Sequence, residues 1–309
     1  MSDSLWIILV GSLVAINCSL VGNFLILRKS VMLGDALSHA VLPGMVMGYF
    51  YFGENNLVGV LGGAALAGLI LVVAIEWLKS SPIIKEDATI GLIYTALFSI
   101  GVILVSLFAS QVHLDQEHVL YGEIAYVPLD RIYLGDSDIG PRSFWVSLTL
   151  LGALILLLRL SFKGFNLTSF DPEFASSKGI RTRVWNYFLM VLVTAVVVVS
   201  FENVGAILVV AFLVAPGAIA LLWSHRMSVI FVLSTTASVV IATGGFFLAE
   251  WSSSSVSGAM AFFSGILFIF AWSVRKLVKR RAEKRTYTSR IGRLDSTTNG
   301  STNSLRAFN

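Results

Sequence analysis

An aspartate and a histidine stand four residues apart in "GDALSHAVLPG", residues 34 to 44, inside a segment that is otherwise apolar from Ser30 to Gly53. On an α-helix, positions i and i+4 share a face, so the Asp35 carboxylate and the His39 imidazole project side by side. Pro43 falls on that face too. Lacking an N–H, it leaves the carbonyl of His39 without its helical donor. Gly44 then allows a bend or the close approach of another helix. Three chemistries fit this cluster. One is a structural Asp–His pair that fixes helix packing, and another is a proton relay of the kind carboxylates and histidines form in transporters. The third is a transient stop for a divalent ion, because oxygen and nitrogen donors suit Mn, Fe and Zn and no thiolate is nearby to demand a softer metal.

The elements that must hold these residues follow from composition. The chain has 309 residues, of which 56% are hydrophobic and 13% charged, which excludes an ordinary soluble domain. Apolar runs of the ~20 residues needed to cross a hydrocarbon core are expected at 5–27, 31–52, 57–78, 88–109, 143–162, 185–201, 204–224, 228–249 and 256–275. The sequence therefore predicts an all-α polytopic membrane protein of about nine transmembrane helices, because the runs lack the alternation of barrel strands. In the 31–52 span, at ~1.5 Å rise per residue, His39 falls within a few Å of the midplane. Lys and Arg near span ends are retained in the cytoplasm. With the N-terminus outside and the C-terminus cytoplasmic, only Arg131 and Arg142 of the 22 basic residues lie outside, while the acidic residues Asp3, Glu54, Asp115, Glu117, Glu123, Asp130, Asp136, Asp138, Glu202 and Glu250 do. The net charge of +4 is thus a topological signal, with no implied nucleic-acid partner. Its main cluster, "RKLVKRRAEKR", follows the last span and suits acidic headgroups. Residues 1–280 form the membrane domain, and 281–309 a basic then polar cytoplasmic tail expected to be disordered. Cys18, alone in the first span, has no internal disulfide partner.

Other polar residues are secondary candidates. "QVHLDQEHVLYGEIAYVPLD", residues 111–130, carries His113, Asp115, Glu117, His118 and Glu123; this is either a solvated loop or a cation-gathering outer mouth. "GEIAYVP" is too short to span and is read as a re-entrant piece that could bring Glu123 near a pore. Glu202 marks a tight outer hairpin between two spans, as a solvated turn or a pore-lining gate. Pro216 and Gly217 echo Pro43 and Gly44, as an internal repeat or as unrelated kinks. In "FDPEFASSKGIRTR", residues 170–183, Asp171 is a helix N-cap, Pro172 the first helical residue and Gly179 the stop. There is no Gly-x-x-x-x-Gly-Lys-Ser/Thr loop, so any ATP-driven step needs a separate subunit. No hydrolase motif replaces it, so no enzyme activity is expected.

These blocks together resemble the ABC-3 family, the membrane permease subunits of bacterial ABC importers for zinc, manganese and iron. The resemblance runs from "LVGNFLILRKSVMLGDALSHAVLPG" through "KEDATIGLIYTALFSIGVIL" and "FDPEFASSKGI" to "SFENVGAILVVAFLVAPGA", and the "HLDQEHVLYGEIA" wording is closer to manganese-type members. It implies a type II ABC importer permease fold in the bacterial cytoplasmic membrane. The implied partners are a second permease copy or related permease, a cytoplasmic ATP-binding subunit and an extracytoplasmic metal-binding protein. No cofactor is bound permanently; a divalent metal ion is the cargo, and ATP acts through the partner subunit. Asp35 and His39 match the family's intramembrane metal-passage pair. Residues of about 170–180 match its ATPase coupling helix, with Asp171, Pro172, Ala175 and Gly179 at the matching positions. A proton-coupled secondary metal transporter, with Asp35 and His39 as relay, is the alternative.

Overall fold

The computed structural model describes residues 3–53, 56–79, 85–108, 124–134 and 137–280. The outer acidic and histidine cluster of 109–123, Glu123 included, and the tail 281–309 lie outside these residues. The described elements are helices α1 (Asp3–Leu27), α2 (Met32–Phe52), α3 (Leu57–Lys79) and α4 (Glu86–Phe108), then a 3₁₀ turn (Ile124–Leu129) and strands β1 (Arg131–Leu134) and β2 (Ser137–Pro141). There follow α5 (Arg142–Phe170), α6 (Pro172–Ser177), α7 (Thr182–Trp223), α8 (Met227–Ser252) and α9 (Val256–Arg280). Seven helices, all but α2 and α6, are long and apolar enough to cross a bilayer. α2 has the length, but Asp35, Ser38, His39 and its glycines dilute its apolar character.

α1 is apolar around its whole circumference, which suits a helix enclosed by others. Val10, Val14, Cys18, Val21 and Phe24 are buried, and α5, α7 and α8 surround them. Its few polar groups reach across helices: Asn17 Nδ2 donates to the Ser147 carbonyl (3.0 Å), Asn23 Nδ2 to Ser234 Oγ (2.8 Å) and Cys18 Sγ to Ser200 Oγ (3.5 Å). α2, α3 and α4 form a second group, and α7 packs against both.

Glycines set the closest approaches. A Cβ on Gly44 would overlap the Gly63 carbonyl, one on Gly63 would overlap the Gly44 carbonyl, and one on Gly48 would lie 2.7 Å from the Gly59 carbonyl oxygen. α2 therefore rests on α3 backbone to backbone, through Gly-x-x-x-Gly on each helix.

The two spans expected at 185–201 and 204–224 both belong to α7, whose helical geometry breaks at Gly205 (φ 77°, ψ 169°). The halves are not collinear. Phe188 stacks on Phe165, which packs on Phe24, while Gly217 meets the neighbouring Asn23. A straight helix would hold Phe188 and Gly217 about 44 Å apart at ~1.5 Å per residue. The chain therefore folds back at Gly205, in a conformation open to a residue without Cβ. Glu202 lies next to this fold, where the sequence places a hairpin.

One element departs from an all-helical reading. Arg131–Leu134 and Ser137–Pro141 pair as a small antiparallel ribbon, held to the start of α1 by an Arg131–Asp3 ion pair (2.6 Å) and by Trp6 lying under Gly140. Its strands are too short for a hydropathy reading tuned to spans. The preceding 3₁₀ turn, the described part of the expected re-entrant piece, buries Ile124 against Gly11 of α1. Replacing Gly44 with Val is expected to push α2 off α3, at an overpacking cost of about 1–3 kcal/mol. A lower thermal midpoint in detergent would register it, and an unchanged midpoint would contradict the backbone contact.

Candidate functional site

Asp35 occupies the first turn of α2 and His39 the next, with His39 Nε2 3.6 Å from Asp35 Oδ1. This separation is too long for a good hydrogen bond, so neither group is committed to the other. The remainder of this stretch of α2 is buried, yet the Asp35 side chain is 41% exposed and that of His39 33%. The pair forms a polar strip that opens to one side of the bundle.

α4 supplies the wall on the other side. Tyr94 stacks on the His39 ring (centroids 5.8 Å, 26°), and Phe98 meets it edge-on (5.4 Å, 75°). One turn further on, a Cβ at Gly101 would lie 2.9 Å from Pro43 Cδ, so α4 approaches the proline ring directly. The two rings orient the imidazole, and His39 Nδ1 is buried without a hydrogen-bond partner. Sequence reading missed this wall, although Tyr94, Phe98 and Gly101 at i, i+4 and i+7 mark one helical face.

Among the described residues no three His, Cys, Asp or Glu side chains converge. Asp35 and His39 thus stand as a pair, and Glu202, exposed near the fold of α7, is not gathered with them. The Pro216–Gly217 pair has different surroundings from Pro43–Gly44. Gly217 packs against Asn23 of α1, where a Cβ would lie 2.7 Å from Asn23 Oδ1.

A second candidate element, α6, lies between α5 and α7. Asp171 caps α6, its side chain accepting from the Phe174 N–H (2.9 Å), and Pro172 opens the helix. Gly179 (φ 78°) ends it: the Gly179 N–H donates to the Ser176 carbonyl and the Ile180 N–H to that of Ala175, the paired bonds of a Schellman terminus. Ala175 is wholly buried, so its small side chain seats α6 against its own legs, whereas Phe170 and Phe174 are half exposed. The legs are joined by aromatic packing, with Trp185 over Gly164 and Phe188 stacked on Phe165.

Arg28, in the turn after α1, points inward to these legs. Its Nε donates to Ser169 Oγ (2.9 Å), Nη2 to Thr168 Oγ1 (2.9 Å) and Nη1 to Asn186 Oδ1, with the guanidinium 6.0 Å from the Phe165 ring centre. Burial lowers its pKa from 12.5 to about 10, so it stays charged at neutral pH.

The chain belongs to the ABC 3 transport family, whose sequence model matches residues 4–275. It is 40% identical over 272 residues to the manganese transport system membrane protein MntD of Bacillus subtilis, covering 88% of this chain and 92% of that one. It is 39% identical over 277 residues to the zinc transport system membrane protein TroD of Treponema pallidum, covering 89% and 75%. Among solved structures, PsaBC from Streptococcus pneumoniae in complex with Fab superposes with a TM-score of 0.73 at 28% identity, over 88% of this chain and 91% of that one. The protein is a multi-pass integral membrane protein, in keeping with the apolar helices. Replacing Gly101 with Leu is expected to lift α4 from Pro43 and free the His39 ring. Peptide-resolved mass spectrometry after diethylpyrocarbonate treatment of membranes should then show several-fold faster modification of His39. An unchanged rate would argue against α4 as the wall of the site.

Proposed function

We propose that this chain is the transmembrane permease subunit of an ATP-binding cassette importer that carries a divalent transition-metal ion into the cell, manganese foremost and zinc or iron as related cargo. The observation that carries the reading is the half-open Asp35–His39 pair in a chain of this family. A carboxylate and an imidazole that do not bind each other offer a cation one oxygen and one nitrogen ligand, donors that suit Mn, Fe(II) and Zn. Two ligands hold an ion briefly, which favours flux over storage.

A charged strip at membrane depth does not face lipid without cost. A second copy of the chain, or a related permease, covers it in this reading and adds donors of its own. The seven long helices become nine crossings when α2 is included and α7 crosses, turns at Gly205 and returns. In this type II importer arrangement the N-terminus lies outside and α6, the end of α9 and the tail lie in the cytoplasm. Residues 1–280 are then the transport unit in the bacterial cytoplasmic membrane. α6 is the coupling helix, presenting Phe174, together with Phe170 at the end of α5, to a separate ATP-binding subunit, with Asp171, Pro172 and Gly179 fixing its ends and Ala175 its seat. An extracytoplasmic metal-binding protein delivers the ion at the other face, where Glu123 and Glu202 are the remaining acidic candidates. Nucleotide hydrolysis in the partner shifts the population between outward-open and inward-open forms of the bundle. The chain itself is a transport component with no resident cofactor.

In proteoliposomes containing the permease, its ATP-binding subunit and the metal-binding protein, Asp35→Ala with His39→Ala is expected to abolish Mn(II) uptake while basal ATP hydrolysis and assembly persist. Wild-type uptake by a well-assembled double variant would overturn the pathway. Uptake that follows a proton gradient and needs no ATP would instead favour a proton-coupled transporter. At the other end of the molecule, Gly179→Val is expected to lower transport several-fold, since a left-handed conformation costs a residue with Cβ about 1–2 kcal/mol. Gly179→Asn should be tolerated, because Asn visits that conformation and the space around Gly179 is open. Equal transport by the Val and Asn variants would remove Gly179 from the coupling role.

A further inference from the structure

The turn between α1 and α2 carries two adjacent basic residues that behave in opposite ways. Lys29, in a left-handed conformation (φ 59°), is exposed, whereas Arg28 is turned inward. A basic residue beside a membrane surface normally gains by reaching water or lipid headgroups. Arg28 instead holds three neutral acceptors, and among the described residues no carboxylate pairs with it. The guanidinium is a rigid planar fork, so three simultaneous bonds define the relative placement of everything they touch.

The bonded groups lie at both feet of the coupling segment. Thr168 and Ser169 form the last turn of α5 directly before α6, and Asn186 lies in the opening turns of α7 directly after it. On its own side Arg28 has little slack. The Arg28 N–H is bonded to the Phe24 carbonyl (3.0 Å) and the Ser30 N–H to that of Leu25 (2.9 Å), which fixes the turn to α1. The Leu33 and Gly34 N–H groups donate to the Ser30 and Val31 carbonyls (3.2 and 3.0 Å), so the turn runs without a break into the first turn of α2, where Asp35 stands. Aromatic packing between Phe24 and Phe165 stiffens the same junction.

We propose that Arg28 is a positioning residue that transmits displacement of the coupling segment to the start of α2, and so sets Asp35 relative to the transported ion. The proposal rests on the reading of α6 as the coupling helix and of Asp35 and His39 as the metal path. Motion of α6 moves its two feet together, the Arg28 fork follows both, and the short turn passes the movement to α2. The side chain touches neither ATPase nor metal. Its loss therefore uncouples the two without emptying either site.

The test uses the complete reconstituted transporter and reads Mn(II) moved per ATP hydrolysed. In Arg28→Met this ratio is expected to fall by about tenfold, within the 5- to 150-fold range of typical coupling between sites. ATPase activity and Mn(II) retention by the permease should change by less than about twofold, a small shift on that same scale. Arg28→Lys, which keeps the charge but not the fork, should recover part of the ratio. If Arg28→Met assembles poorly, the combined variant Thr168→Val and Asn186→Leu removes acceptors and leaves Arg28 in place; it should show the same loss. Spin labels at Met32→Cys and Ser176→Cys give a readout independent of transport: their distance change on ATP binding should shrink when Arg28 is Met. A wild-type ratio in the Met and acceptor variants, or a loss that only parallels reduced assembly, overturns the proposal. Asp35→Ala, run beside them, separates the two levels. If it transports normally the metal-path reading fails, whereas its inactivity together with a normal Arg28→Met ratio sinks the Arg28 role alone.

Discussion

Inside a bilayer the surroundings of a helix are as apolar as its own side chains, so burying leucine against leucine gives little reason for helices to prefer each other over lipid. This chain answers that constraint by bringing backbones into contact. Gly44 and Gly48 on α2 meet Gly59 and Gly63 on α3, and Gly22 on α1 meets the Leu213 carbonyl on α7. Dispersion acts over short distances, and glycine makes those distances available. Hydrogen bonds from Asn17, Asn23 and Cys18 to neighbouring helices add direction to contacts that are otherwise only close. With α2 pinned on its glycine face, its opposite side can carry a carboxylate and an imidazole that no partner among the described residues fully satisfies.

The same arrangement explains why the polar pair is ordered yet uncommitted. His39 is held between Tyr94 and Phe98 by ring contacts that do not use its nitrogens, and Pro43 receives α4 at Gly101. Orientation therefore comes from apolar walls; Nδ1 is buried, and Nε2 faces the Asp35 carboxylate. At the far end of the molecule α6 shows the complementary strategy. Its cap, its Schellman terminus and buried Ala175 use up its local bonding, so what it offers outward is the half-exposed Phe174, beside the half-exposed Phe170 at the end of α5. One region presents open donors on a rigid frame; the other presents an apolar surface on a closed one.

Much of this was legible in the residues because membrane helices follow strict length and polarity rules. Most helix limits fall within a few residues of the apolar runs, and Asp35 and His39 stand on one face because i and i+4 always do. The α6 cap and stop followed from Asp171-Pro172 and Gly179 for equally local reasons. What escaped the sequence depended on contacts between distant segments. The Tyr94 and Phe98 wall needed the knowledge that α4 packs on α2, and the inward turn of Arg28 ran against its use as a topological charge. The β ribbon at Arg131–Pro141 was lost because short strands carry no hydropathy signal at the scale of a span. Expectations for Glu123 and its histidine-rich neighbours lie outside the described residues. Glu202 stands at a fold in the chain, as expected, but apart from the Asp35–His39 pair.

The single thiol has a practical consequence. Cys18 lies fully enclosed in α1, beside Ser200 of α7. Water-soluble thiol reagents therefore have no route to it while the bundle is folded, and the native chain already behaves as a silent background for labelling. A cysteine introduced at any exposed position can be tagged selectively in the otherwise unaltered protein. Conversely, Cys18 becomes reactive only when α1 separates from α7, so its modification is a built-in reporter of unfolding at the centre of the bundle.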